Sequence, residues 1–217
     1  MKLIFTMPIV LLFCDAPFID SNQMFIIVRA GRVKWLLAQL LYILVSSAFY
    51  YVFIILSTVL LSLPNSSLEM SWGTVLYNIS NSSVAGDLNF NFVNVSDYIL
   101  RYFTPLEATW FTFLLSWISA VFIGVIIFVF NFITNSKYIG SVIASIIIIL
   151  SCFVINDGFS NLIPYSPITW NTLNFIDVGG TTAYPSFNYC MTVYGVGIFA
   201  LIVVLFLSHK KKNIVKL

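Results

Sequence analysis

An all-α, polytopic membrane protein is the fold class this chain predicts, and three observations predict it. Of its 217 residues, 60% are hydrophobic and 8% are charged, against roughly 25% charged in an ordinary soluble domain. The deficit is localised: residues 3–13, 35–63, 108–133, 139–155 and 191–207 contain no Asp, Glu, Lys or Arg. These runs are continuous and lack the period-two alternation of barrel strands, so helices are the way to satisfy the backbone in lipid. A soluble domain around one core and a disordered chain are both excluded.

Crossing a hydrocarbon core of about 30 Å takes about 20 apolar residues in a helix. Segment 3–13 falls short and reads as a short or truncated span. Residues 14–34 form a cytoplasmic stretch in which Pro17 and Ser21 break the apolar pattern, and Arg29, Arg32 and Lys34 precede Trp35. This reads as an amphipathic element on the inner surface running into a long helix, either a topology anchor or a docking surface. Segment 35–63 is a full span, and 64–105 an external loop with Asn-x-Ser sequons at Asn65, Asn78, Asn81 and Asn94. An Asn- and Ser-rich loop generates such sequons readily, and glycosylation needs a eukaryotic secretory route. The next span, 106–133, has a strong start: Thr104 to cap, Pro105 at the first position and Glu107 three residues on. A cytoplasmic turn, 134–138, leads to the span 139–155, with Tyr138 at its interface. The external loop 156–190 has no Lys or Arg, and its Ser166-Pro167 pair predicts a short helix carrying Trp170 and Leu173 at the outer interface. Tyr189 flanks the last span, 191–207, and a basic tail, 208–217, follows. The total is four full spans and one short N-terminal segment in a single membrane domain, 1–217.

Charge orients these spans. Arg29, Arg32, Lys34, Lys137, Lys210, Lys211, Lys212 and Lys216 fall on one side, and only Arg101 falls in an opposite loop. Positive-inside bias makes the first side cytoplasmic, and the tail lysines also favour an anionic lipid surface. The expected location is the cell membrane, multi-pass, with the C-terminus cytoplasmic. Cleavage of 3–13 as a signal peptide would invert this pattern and is rejected on that ground. A short first run entering from outside suggests a preceding helix upstream of Met1, with Met1 an internal methionine of a longer protein.

No span carries an ionisable residue near its centre, which argues against ion-coupled transport through a carboxylate relay. Gln39, Tyr42, Ser46, Tyr50 and Ser57 recur at helical spacings as one stripe, a candidate substrate path or subunit interface. Thr109, Thr112, Ser116 and Ser119 form a second stripe, and Ser116-Ala120-Gly124 and Gly140-Ala144 are small-residue series that let helices approach closely. The lack of charge suits an amphipathic or lipid-like cargo better than a small ion. Catalysis has little support. The one histidine, His209, lies at the tail, and Cys14, Cys152 and Cys190 have no metal-ligand spacing, although a Cys152–Cys190 disulfide is conceivable. There is no P-loop. No catalytic residue, metal, cofactor or nucleic-acid partner is expected.

Asp15-Ala16-Pro17-Phe18 and Arg29-Ala30-Gly31-Arg32-Val33-Lys34-Trp35, followed by Gln39, Tyr42, Ser46 and Tyr50, resemble the membrane subunits of type-2 ABC exporters. The resemblance is specific over about residues 15–50 and extends in layout over most of the chain. It implies a six-span permease with a cytoplasmic coupling segment between its second and third spans, partnered by a separate ABC-type ATPase and a second permease subunit, identical or not. Segment 3–13 then ends the second span, 35–63 is the third, and the first is absent. Within the coupling segment, Asp20, Met24, Phe25, Ile27, Arg29, Arg32 and Lys34 would dock the ATPase. The arginines would meet acidic groups, and Met24, Phe25 and Ile27 would enter a groove. The alternative reading is a non-transporting immunity or signalling subunit that binds a peptide or protein through 64–105.

Overall fold

A computed structural model describes residues 2–18, 23–63, 71–74, 97–156, 159–180 and 182–209. The four sequons, Asp20 and the tail lysines lie outside these residues. Seven α-helices are described: α1 (Lys2–Phe13), α2 (Gln23–Ala30), α3 (Arg32–Ser62), α4 (Asp97–Tyr102), α5 (Pro105–Thr134), α6 (Ile139–Asn156) and α7 (Phe187–His209). Between α6 and α7 run three short 3-10 turns, Ser160–Tyr165, Pro167–Asn171 and Leu173–Phe175. No strand occurs among the described residues, only an isolated bridge between Asp177 and Ser186. The chain has the architecture of an all-α membrane protein: α3, α5 and α7 are each long and apolar enough to cross a bilayer. The 18 residues of α6 extend about 27 Å, close to one hydrocarbon thickness. The 12 residues of α1 reach about 18 Å and do not cross unaided.

Helix α5 is the axis of the bundle. In its most apolar stretch 61% of residues are buried, against 17% in α3 and in α7, so those two helices present most of their surface outward. Its start follows the sequence closely. Thr104 Oγ1 accepts from the Glu107 amide at 3.4 Å, and the Thr104 amide donates to the Glu107 carboxylate at 2.9 Å. Pro105 occupies the first turn, where its missing N–H costs nothing. At the other end Asn135, at φ 54°, closes the helix by donating to the Asn131 carbonyl, and a short turn reverses the chain into α6.

Small residues set the spacing around this axis. A Cβ on Gly124 would fall 2.6 Å from Ile43 Cγ2 of α3 and 3.0 Å from the Phe13 ring of α1. At Gly140 a Cβ would meet the Ile127 carbonyl and lie 2.8 Å from Asn131 Oδ1. Close approach is therefore the role of both small-residue series. Trp117 of α5 donates to the Leu44 carbonyl of α3 at 3.0 Å, adding a polar tie between the two helices.

Asn131, fully buried, joins three helices. Its Nδ2 donates to the carbonyls of Ala16 at 2.7 Å, Lys137 at 3.1 Å and Cys14 at 3.3 Å. Its Oδ1 accepts from the Gly140 amide at 2.7 Å. The end of α1, the end of α5 and the start of α6 thus meet at one side chain. Pro8 lies inside α1, where its missing N–H leaves the Ile4 carbonyl without its helical donor. One residue on, the Phe5 carbonyl accepts the Tyr50 hydroxyl of α3 at 3.1 Å, which ties α1 to α3.

These contacts also fix direction. α1 and α7 run with α5, while α3 and α6 run against it. Arg29, Arg32, Lys34 and Lys137 consequently gather at the Asn131 end, and Arg101 and Glu107 at the other. The short element before α3 is a helix of its own: Gly31, at φ 87°, breaks the chain between α2 and α3, and only glycine takes that conformation without strain.

Gly140→Ala and Gly195→Ala separate packing from helix propensity. Nothing lies within 4 Å of a Cβ at Gly195, so that change should be neutral or stabilising by up to about 1 kcal/mol. Gly140→Ala should cost about 1–3 kcal/mol in detergent unfolding titrations. Equal effects would contradict the close packing of α5 on α6.

Candidate functional site

At the end of the bundle away from Asn131, α1, α3, α4, α5 and the 3-10 turns do not close on one another. They leave a cavity of about 530 Å³, within the 300–1,000 Å³ usual for small-molecule sites. One wall is apolar, made by Phe5 of α1, Tyr51, Ile54 and Ile55 of α3, and Phe113 of α5. The facing wall is polar and neutral: Thr109, Thr112 and Ser116 of α5 with Asn171, Thr172 and Asn174 of the turns. Among the described residues, no Asp, Glu, Lys, Arg or His lines it.

The polar wall is held rigidly. Trp170 is 1% exposed, donates to the Ile163 carbonyl at 2.7 Å, and meets the rings of Tyr189 and Tyr194 edge-on at 5.7 and 5.6 Å. Tyr194 of α7 donates to the Pro167 carbonyl at 2.5 Å, and Ser116 donates to the Asn171 carbonyl at 3.4 Å. The sequence placed a capped helix start at Ser166-Pro167. Pro167 does begin a turn, but the turn is 3-10, and the Ser166 hydroxyl donates to Ser151 of α6 at 3.1 Å instead of capping it. That side chain pins the loop to α6.

Polar capacity remains unspent here. Asn171 Oδ1 and Thr172 Oγ1 are buried without a hydrogen-bond partner, a state that costs about 1–3 kcal/mol per group. Thr112 is exposed to the cavity. Beside the cavity, Val52, Leu56, Leu106 and Trp110 line an almost wholly apolar groove between α3 and α5. Ile55, Thr109 and Phe113 belong to both, so groove and cavity are adjacent.

The second stripe therefore forms this wall in part: Thr109, Thr112 and Ser116 line the cavity, whereas Ser119 is buried elsewhere. None of the first stripe does. Gln39 is buried with Oε1 unpartnered. Tyr42 packs edge-on against Phe18 at 4.8 Å, and Tyr50 bonds Phe5. Ser46 and Ser57 return their hydroxyls to the carbonyls of Tyr42 and Ile54 at 2.6 and 2.8 Å, spending them within the helix. The buried row of α3 is Gln39, Ile43, Ser47 and Tyr51. Tyr42, Ser46 and Tyr50 sit one residue, about 100° of helix, away from it.

The docking residues divide as well. Phe25 is 78% exposed, and Arg29, Arg32 and Lys34 are exposed, but Ile27 at 7% packs into the chain's own core. Asp20 and the side chain of Met24 lie outside the described residues. Cys14, Cys152 and Cys190 are all free thiols, so no Cys152–Cys190 disulfide forms. Among the described residues no group of His, Cys, Asp or Glu is arranged to hold a metal. The cavity residues of the turns, Asn171 to Asn174, carried no periodic signal in the sequence. A neutral polar run next to Trp170 was the available clue. Comparison with protein-family models, with curated proteins and with solved structures finds no match.

Cysteine substitutions test the assignment. Thr112→Cys should react with a small membrane-permeant maleimide about tenfold faster than Ser119→Cys, read by site-resolved mass spectrometry. Equal rates would mean that Thr112 does not line an accessible cavity.

Proposed function

We propose that this chain is the membrane-spanning permease subunit of an ATP-driven ABC-type exporter, working with a separate ATPase subunit and a second permease. The observation that carries the proposal is α2. This short helix stands apart from α3 at Gly31 and is held to the core through Ile27. Phe25 and Val28 are left 78% and 87% exposed beside the exposed Arg29. An apolar patch edged by a cation on a non-spanning element is suited to a groove with acidic walls. The charge gathered at that end makes it cytoplasmic by the positive-inside bias, where ATP is available. In this reading the ATPase moves α2, and Ile27 and the Asn131 node pass that motion to α1, α5 and α6. The neutral cavity lies at the far, external end. The subunit itself contributes binding and alternating access, and its partner contributes hydrolysis.

Purification of the tagged chain with its genomic neighbours tests this. A P-loop ATPase should co-purify, and Arg29→Glu combined with Phe25→Ser should reduce its recovery about tenfold or more, with membrane insertion unchanged. Thr112→Val, remote from α2, should leave recovery intact. Absence of any P-loop ATPase, or full recovery with the α2 variant, would overturn the proposal.

A further inference from the structure

We infer that the cavity between α3, α5 and the 3-10 turns binds an uncharged single-chain amphiphile that enters sideways from the bilayer. The chemistry of the lining selects the ligand class. An ionised head would leave water for a site with no counter-ion among its described lining residues, and an unpaired buried charge is strongly disfavoured. A head bearing hydroxyl or amide donors fits better. Thr112 is exposed in the polar wall, and Asn171 and Thr172 each hold a buried oxygen without a partner. Both residues line the cavity, so these are unspent acceptors beside the space a ligand hydroxyl would occupy.

The path selects the rest of the molecule. The groove of Val52, Leu56, Leu106 and Trp110 adjoins the cavity between α3 and α5, with only Ile55, Thr109 and Phe113 shared between them. Those residues are about as apolar as an acyl chain, and Leu56, Leu106 and Trp110 are more than half exposed. A head against Asn171 and Thr172 therefore leaves its tail in the groove, pointing toward lipid. Two-chain phospholipids carry a phosphate that the lining does not neutralise. A monoacylglycerol-like molecule has the required head, charge and single tail. For its biological role the inference rests on the exporter reading, since it names the cargo class. For binding it stands on the cavity alone.

The test uses the purified full chain in phosphatidylcholine nanodiscs, without any ATPase. A monoacylglycerol bearing a diazirine on its acyl chain is photolysed, and the labelled peptides are mapped. Label should concentrate on peptides containing Ile54–Ile55 and Leu106–Phe113. Unlabelled monoacylglycerol should compete about tenfold better than an ionised fatty acid of equal chain length. Thr112→Phe, which fills the cavity, should lower labelling about tenfold. Thr112→Val, which keeps shape and removes the hydroxyl, should narrow the preference over the fatty acid. Label spread evenly along the outward faces of α3 and α7, equal competition by the fatty acid, or labelling unaltered by both variants would overturn the inference. Labelling as expected in a chain that recruits no ATPase supports the site and counts against the exporter reading alone.

Discussion

The Asn131 carboxamide shares two protons among three backbone carbonyls and accepts one backbone amide, in a place where α5 offers it no water. Side-chain hydrogen bonds between membrane helices contribute about 0.6 to 2 kcal/mol each. What they prevent matters more, because any carbonyl abandoned here would face hydrocarbon or packed side chains. The residue ties down the twelve-residue α1 by holding the turn that follows it, through the Cys14 and Ala16 carbonyls. Its Oδ1 also fixes the first turn of α6, which lets Gly140 press onto the α5 backbone.

Tight closure at that end leaves the mismatch between helices at the other. There the 3-10 turns, packed around Trp170, fill the space between α3 and α5 only partly. The remaining space has one apolar and one neutral polar wall. The two ends thus differ in kind: a basic, closed end bearing the detached α2, and an open end bearing the cavity, whose described lining residues are uncharged. The central helix α5 connects the two ends.

Much of the fold is legible in the sequence because lipid simplifies the problem. Charge-free runs mark the helices, Thr104-Pro105-x-Glu107 marks the start of α5, and Ser116, Gly124 and Gly140 mark its contact faces. The side of a helix that matters is harder to read. Gln39 to Ser57 looked like one polar stripe, yet serine hydroxyls in a helix bond the preceding turn as readily as a ligand. The buried row of α3 lies one residue away, and helix–helix packing alone decides that phase. Asn131 gave no signal as a lone amide in an apolar run, because its four partners are backbone groups whose positions depend on the turns after α1 and α5. The cavity is a gap between elements as distant as Phe5 and Asn174, and no local pattern encodes a gap.

If the Asn131 node holds α1 to α5 and α6, its removal should weaken the whole bundle and free the turn after α1 in particular. The native thiol Cys14, whose own carbonyl Asn131 binds, reports that turn directly. Asn131→Leu keeps volume and removes every hydrogen bond, so it should lose about 1–3 kcal/mol in a reversible detergent titration. In the same variant under native conditions, Cys14 should react with maleimide about tenfold faster, while the buried Cys190 keeps its wild-type rate. Unchanged stability together with an unchanged Cys14 rate would contradict the account.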